Sequence, residues 1–135
     1  MKLIKSLLVG AALLAAGSFA WAQEQYVPLL SYRVGPYGSN GTSFFGGMID
    51  YMNLVNAKGG INGVKLTWEE CETEYNPSRG VECYERLKGK RGGAALVEPL
   101  STGIAYGILD RVGKDKIPMT TLGYGRSDAA NGKVF

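Results

Sequence analysis

The chain has 135 residues, a formal net charge of +3, 20 glycines, two cysteines and no histidine. That length holds one small globular domain at most, and so small a charge gives no strong attraction to nucleic acid. Without histidine there is no Ser-His-Asp or Cys-His catalysis and no imidazole for a transition metal, and two cysteines alone do not complete a structural zinc site.

The amino terminus reads as an export signal. Lys2 and Lys5 precede an apolar run from Leu7 to Ala16, and Ala20-Trp21-Ala22 has the small-x-small cleavage pattern. The run is shorter than the ~20 apolar residues that cross a bilayer, and Gln23-Glu24-Gln25 ends it. Cleavage after Ala22 divides the chain into a signal, residues 1–22, and a mature segment, residues 23–135. An exported chain meets oxidising conditions, so Cys71 and Cys83 are expected to pair, with two free thiols as the alternative.

Val27 to Val34 reads as the first strand, with Pro28 near its start. A loop rich in turn residues, Gly35 to Gly41, leads to a helix capped by Thr42 or Ser43, with Phe45, Met48, Ile49, Met52 and Val55 at helical spacing. Gly59-Gly60 stops it, and Asn62-Gly63 forms a tight turn. Val64 to Cys71 alternates apolar and polar residues, as a half-buried strand near a sheet edge does. Asn76-Pro77 opens a second helix with Val81, Tyr84, Leu87 and the stem of Lys88 on one face, stopped by Gly89. Ala94 to Glu98 is the third strand, broken by Pro99. A third helix runs from about Thr102 to Val112, ended by Gly113, with Ile104, Ala105, Ile108, Leu109 and Val112 inward. Ile117 to Leu122 is the fourth strand, followed by the loop Gly123-Tyr124-Gly125-Arg126.

The alternation β-α-β-α-β-α-β predicts an α/β fold, an open parallel β-sheet with helices on both faces. No helix follows the fourth strand to cover it, so the domain is expected to be incomplete. Ligands of such sheets bind beyond the carboxyl ends of the strands, where strand order reverses. With an assumed order 2-1-3-4, the loop after strand one meets the turn at Ser101 and Thr102, and the loop at Gly123 to Arg126 comes next. The loop after strand two, with Glu70, Glu72 and Glu74, then falls outside the crevice.

Each candidate also has a plain reading. Ser101 and Thr102 sit where unpaired helix N–H groups suit an anion, but a helix cap needs a hydroxyl there anyway. Gly35, Gly38 and Gly41 lack the spacing of a phosphate loop and read as turn glycines. Glu69, Glu70, Glu72 and Glu74 suggest a hard-cation site or, more simply, a solvated face. Arg33 and Arg126 are suited to a two-pronged contact with a carboxylate, or simply to the surface. Tyr37 and Tyr124 are placed to flank an apolar or aromatic ligand, or only to pack.

The segment Asn56-Ala57-Lys58-Gly59-Gly60-Ile61-Asn62-Gly63-Val64-Lys65-Leu66 resembles a signature of the leucine-binding-protein-like substrate-binding proteins of branched-chain amino acid-type ABC transporters. Gly35-Pro36, Asn76-Pro77, Pro99-Leu100-Ser101-Thr102 and the stretch Ile117 to Gly125 also fit. The resemblance implies a type I periplasmic binding fold, whose two lobes close over a ligand, with residues 23–135 the N-terminal part of lobe I. It implies that Thr102 offers a hydroxyl to a ligand carboxylate, with Ser101 beside it, and that Asn40 contributes from the first loop. Gly123 offers its backbone, whereas Gly125 stands where the family has threonine, so a hydroxyl is lost. That loss, with Tyr124 beside it, leaves amides, urea and aromatic acids open as ligands. The residue that pairs with a ligand amino group comes from the second lobe, beyond Phe135. The cysteine pair differs from the family's own bridge and would pin strand two to the second helix, away from the crevice.

The function so implied is solute capture, not enzymatic conversion. The protein is expected in the periplasm, monomeric at full length, with an amino acid or related solute and an inner-membrane permease as partners. No cofactor, metal or nucleic acid is expected. A ligand sensor on the same fold is the alternative.

Overall fold

The computed structural model describes residues 24–121. The expected signal and the loop from Gly123 to Arg126 lie outside the described residues. The elements are β1 (Glu24–Ser31), α1 (Gly38–Ala57), β2 (Lys65–Glu72), α2 (Pro77–Leu87), a short 3-10 turn (Lys90–Gly92) and α3 (Thr102–Asp115).

β1 and β2 pair in parallel over eight residues, from Glu24 with Lys65 to Ser31 with Glu72. Tyr26 bridges to Ala94, and Val97 bridges to Met119, both in parallel. The spatial order is therefore 2-1-3-4, as expected, but the third and fourth segments touch at single bridges and do not form full strands. The cause lies partly in β1. The Tyr26 carbonyl accepts from Ala95 N–H at 2.8 Å. The next donor on that side of β1 belongs to Pro28, which has none. The third segment also bends at Ala95. Ala95 N–H points to β1, whereas Val97 N–H, two residues on, donates the other way to Pro118 at 3.0 Å. Residues two apart in an unbroken strand point the same way, so the ladder is interrupted between them.

The two faces of this sheet carry separate apolar clusters. α1 covers Val27 and Leu29 with Phe45 and Met52, and Met48, Ile49, Leu66 and Trp68 pack at its margin. The opposite face joins Leu30 and Val97 to Tyr84 and Leu87 of α2 and to Ile104, Ile108 and Val112 of α3. Cys71 and Cys83 are bridged within this second cluster, so β2 is tied covalently to α2. The Asn56 side chain clamps the start of β2 by accepting from Leu66 N–H at 2.8 Å and donating to its carbonyl at 2.7 Å.

Of the element ends that differ from expectation, three have a cause in the packing. α1 begins at Gly38, not Thr42, and its cap residue Tyr37 makes no side-chain bond. A Cβ at Gly41 would lie 1.9 Å from the Tyr32 carbonyl, so glycine lets the first turn press on the end of β1. β1 stops at Ser31, where Thr73 N–H gives the Ser31 carbonyl the last bond of the ladder at 2.7 Å and the Thr73 hydroxyl adds a second at 2.8 Å. α3 runs past Gly113 to Asp115 and ends at Lys116 in the left-handed conformation. Asp115 holds that last turn by accepting from Lys88 Nζ at 2.7 Å and from the buried Tyr84 hydroxyl at 2.8 Å. Those bonds hold the Asp115 carboxyl below its ordinary range, and burial pushes the Tyr84 hydroxyl up.

α2 and α3 cross where Gly80 faces Ile104. A Cβ at Gly80 would sit 2.6 Å from two carbons of the fully buried Ile104. Gly80→Ala is expected to destabilise the protein by about 1–2 kcal/mol, overpacking outweighing the better helix propensity of alanine. A melting temperature equal to or above wild type would show that the two helices separate without cost.

Candidate functional site

The strand order reverses between β1 and the third segment, and a cleft of about 780 Å³ opens at their carboxyl ends. Among the described residues, α1 and the loop before it contribute Tyr37, Ser39, Asn40, Ser43 and Phe44. Tyr32 follows β1, Leu100 follows the third segment, and Tyr75 comes from the loop after β2.

The rings form a connected wall. Tyr32 is buried and stands edge-on to Phe45, with centroids 5.6 Å apart, and edge-on to Tyr75 at 4.9 Å. Tyr37 lies against Tyr75 at 4.4 Å with the planes tilted by 48°. The loop after β2 was expected outside the crevice. Its acids do stay out of the wall, but Tyr75 enters it.

Those acids are engaged elsewhere. Glu70 takes the two-pronged contact of Arg33, whose Nε bonds one oxygen and whose Nη2 bonds the other at 3.2 Å. Glu72 accepts from the backbone N–H groups of Arg33 and Glu74, each at 2.7 Å. Glu74 pairs with Arg79, and Glu69 accepts from Lys90 at 2.6 Å. The carboxylate that Arg33 reaches is thus the protein's own. Among the described residues no cluster of acids or cysteines is placed to hold a metal ion.

Tyr37 and Asn40, singled out from sequence, both line the cleft. Asn40 Oδ1 accepts from the Ser39 hydroxyl at 3.3 Å, so its amide nitrogen is the donor on offer. Ser101 is fully buried and caps α3, its hydroxyl oxygen accepting from Ile104 N–H at 3.3 Å. Thr102 opens α3 and is half-buried beside that cap, with Leu100 forming the wall of the cleft before it. Gly123, Tyr124 and Gly125 lie outside the described residues.

Sequence reasoning passed over two residues. Tyr75 was hidden because nothing local tells where a loop tyrosine points. Glu98 was read only as the end of a strand. It is buried, accepting from Leu100 N–H at 2.7 Å and from the Thr120 hydroxyl at 2.9 Å. One carboxylate therefore joins the turn after the third segment to the fourth segment, and fixes Leu100 in a left-handed conformation, φ 53°. Its signal was a charged residue closing an otherwise apolar run, a pattern that calls for buried partners.

The comparisons agree with this geometry. A family profile described as periplasmic binding protein matches residues 24–135. The chain belongs to the periplasmic binding protein family. A solved structure from the Pseudomonas fluorescens group, described as an ABC transporter permease, is 46% identical over 84% of this chain and 29% of its own, with a TM-score of 0.77. The branched-chain amino acid transporter substrate-binding protein LivJ of Streptococcus pneumoniae, solved with isoleucine, has a TM-score of 0.73 at 16% identity, over 84% of this chain and 33% of its own. An ABC transporter substrate-binding protein of Aeropyrum pernix has a TM-score of 0.74 at 21% identity, over 84% of this chain and 30% of its own. The chain spans about a third of the length of these structures. A comparison with curated proteins gave no match. The fold is thus part of a type I periplasmic binding fold.

Burial raises the Glu98 carboxyl above the usual glutamate range, against the opposing effect of its two hydrogen bonds. A carboxyl raised in the folded state takes up its proton there first as pH falls, and that uptake adds stability. Wild type is expected to gain melting temperature relative to Glu98→Gln between about pH 7 and about pH 5, above the ordinary glutamate value of about 4.3. A difference that stays constant across that range would remove Glu98 as the titrating group.

Proposed function

We propose that this chain forms one wall of the solute site of an ABC importer's binding protein, which captures an amino acid or related carboxylate and delivers it to the membrane permease. The observation that carries the reading is the cleft at the strand-order reversal, lined by rings and neutral polar groups. Such a surface holds and orients a small molecule. Family membership supports a small solute, and LivJ, solved with isoleucine, shows that this fold accommodates an amino acid.

In this reading the start of α3 receives the carboxylate. Its first N–H groups and the Thr102 hydroxyl donate, with Ser101 setting the turn. The Asn40 amide donates from the first turn of α1, and Gly123 is the position that the resemblance assigns a backbone contact, Gly125 lacking the family's hydroxyl. Tyr124 flanks the solute. A second lobe closes over it by a hinge motion. Residues 1–22 direct the protein to the periplasm and are removed there.

Calorimetry on the full-length protein with a panel of amino acids, amides and aromatic acids tests this. Tight binding of at least one is expected, and Thr102→Ala is expected to weaken it by about tenfold or more, the worth of a hydrogen bond to a charged group. Failure of the whole panel to bind would remove the transport reading. Unchanged affinity in Thr102→Ala would remove the role given to that hydroxyl.

A further inference from the structure

The wall of the cleft also bears on the kind of solute. Half of its described lining residues are aromatic, and none is charged. Tyr75 is the middle ring, in contact with Tyr32 on one side and Tyr37 on the other. It is half-buried, so part of its surface is left for an occupant.

The loop that carries Tyr75 is fixed in an uncommon conformation. Glu74 and Tyr75 are consecutive non-glycine residues with left-handed backbone, φ 53° and 61°. Such conformations persist only where the surroundings over-determine them. Here the Glu72 carboxylate accepts from Glu74 N–H at 2.7 Å, and Asn76 N–H donates to the Thr73 carbonyl at 2.9 Å. Thr73 is itself locked to Ser31, and Cys71 is bridged to Cys83. The strain is thus spent on turning the residue after Glu74 toward the cleft.

We infer that Tyr75 is a specificity-determining residue, and that the solute of this cleft carries a planar aromatic ring, as an aryl carboxylate or an aromatic amino acid does. This rests on the solute-binding reading above. An aliphatic side chain gains only area burial from such a wall. A ring also gains edge-to-face or offset contact with the Tyr75–Tyr37 pair, worth about two- to tenfold in affinity beyond the buried area. With the carboxylate at the start of α3 as above, Ser39, Asn40 and Ser43 at the α1 rim are left to meet the solute's other polar atoms.

Matched probes isolate the ring. The full-length protein is titrated calorimetrically with phenylalanine against cyclohexylalanine, with benzoate against cyclohexanecarboxylate, and with isoleucine. The planar member of at least one pair is expected to bind at least twofold more tightly than its saturated analogue. That preference is expected to vanish in Tyr75→Leu and to survive in Tyr75→Phe, with melting temperatures checking that both variants fold. Preference for the saturated probes or isoleucine would overturn the inference and leave the solute-binding reading standing. A planar preference that persists in Tyr75→Leu would overturn the role of Tyr75. Absence of binding to every probe and to the wider panel would overturn both readings.

Discussion

The carbonyl of Ser31 is the point on which the cleft end of this fold depends. It accepts two hydrogen bonds from one residue, Thr73, and both residues are fully buried. These two hydrogen bonds fasten the end of the β1–β2 ladder, where both strands finish. Tyr32 begins one loop immediately after it, and Tyr75 lies two residues beyond Thr73 in the other. The edge-to-face contact of those two rings follows from a shared origin at the end of the ladder. Around this point the Glu72 carboxylate ties the same two loops together from the solvent side, and the Arg33–Glu70 pair ties the first of them to β2. Exposed ion pairs add little on their own. Their value here is geometric, since each spends its charge on holding a loop that forms the cleft.

Features settled by local chemistry were legible in the sequence. Asn76-Pro77 opens α2 as read, with Asn76 Oδ1 accepting from Arg79 N–H at 3.1 Å. The inward face of α3 follows its apolar spacing, from Ile104 and Ala105 through Ile108 to Val112. The edge position of β2 and the order of the segments also follow from pattern and connection length. Tyr37 and Asn40 both line the cleft, Asn40 from the first turn of α1 and not from the loop before it.

What was hidden depends on atoms far apart in the chain. The lapse of the third strand needs Pro28 and Ala95 considered together, across an order known only once the sheet is built. The early start of α1 comes from contact between Gly41 and the Tyr32 carbonyl, which makes turn glycines into packing glycines. The extension of α3 past Gly113 is enforced by Tyr84 and Lys88 of another element. Glu98 looks like any strand-end acid until Leu100 and Thr120 are seen on its two oxygens. In each case a tertiary partner overrides a correct local preference.

The Cys71–Cys83 bridge sets a time as well as a place for the finished cleft. It ties β2 to α2 four residues before Tyr75, across a separation of 12 residues. A bridge over so short a loop is worth about 3 kcal/mol, and thiols stay reduced in the cytoplasm. The family's place of work lies outside it. With both thiols reduced the end of β2 lacks its covalent tie, and the loop bearing Tyr75 has only its hydrogen bonds to hold a strained backbone. A chain in that state is looser at one corner. The cleft takes its final shape only once that bridge has closed.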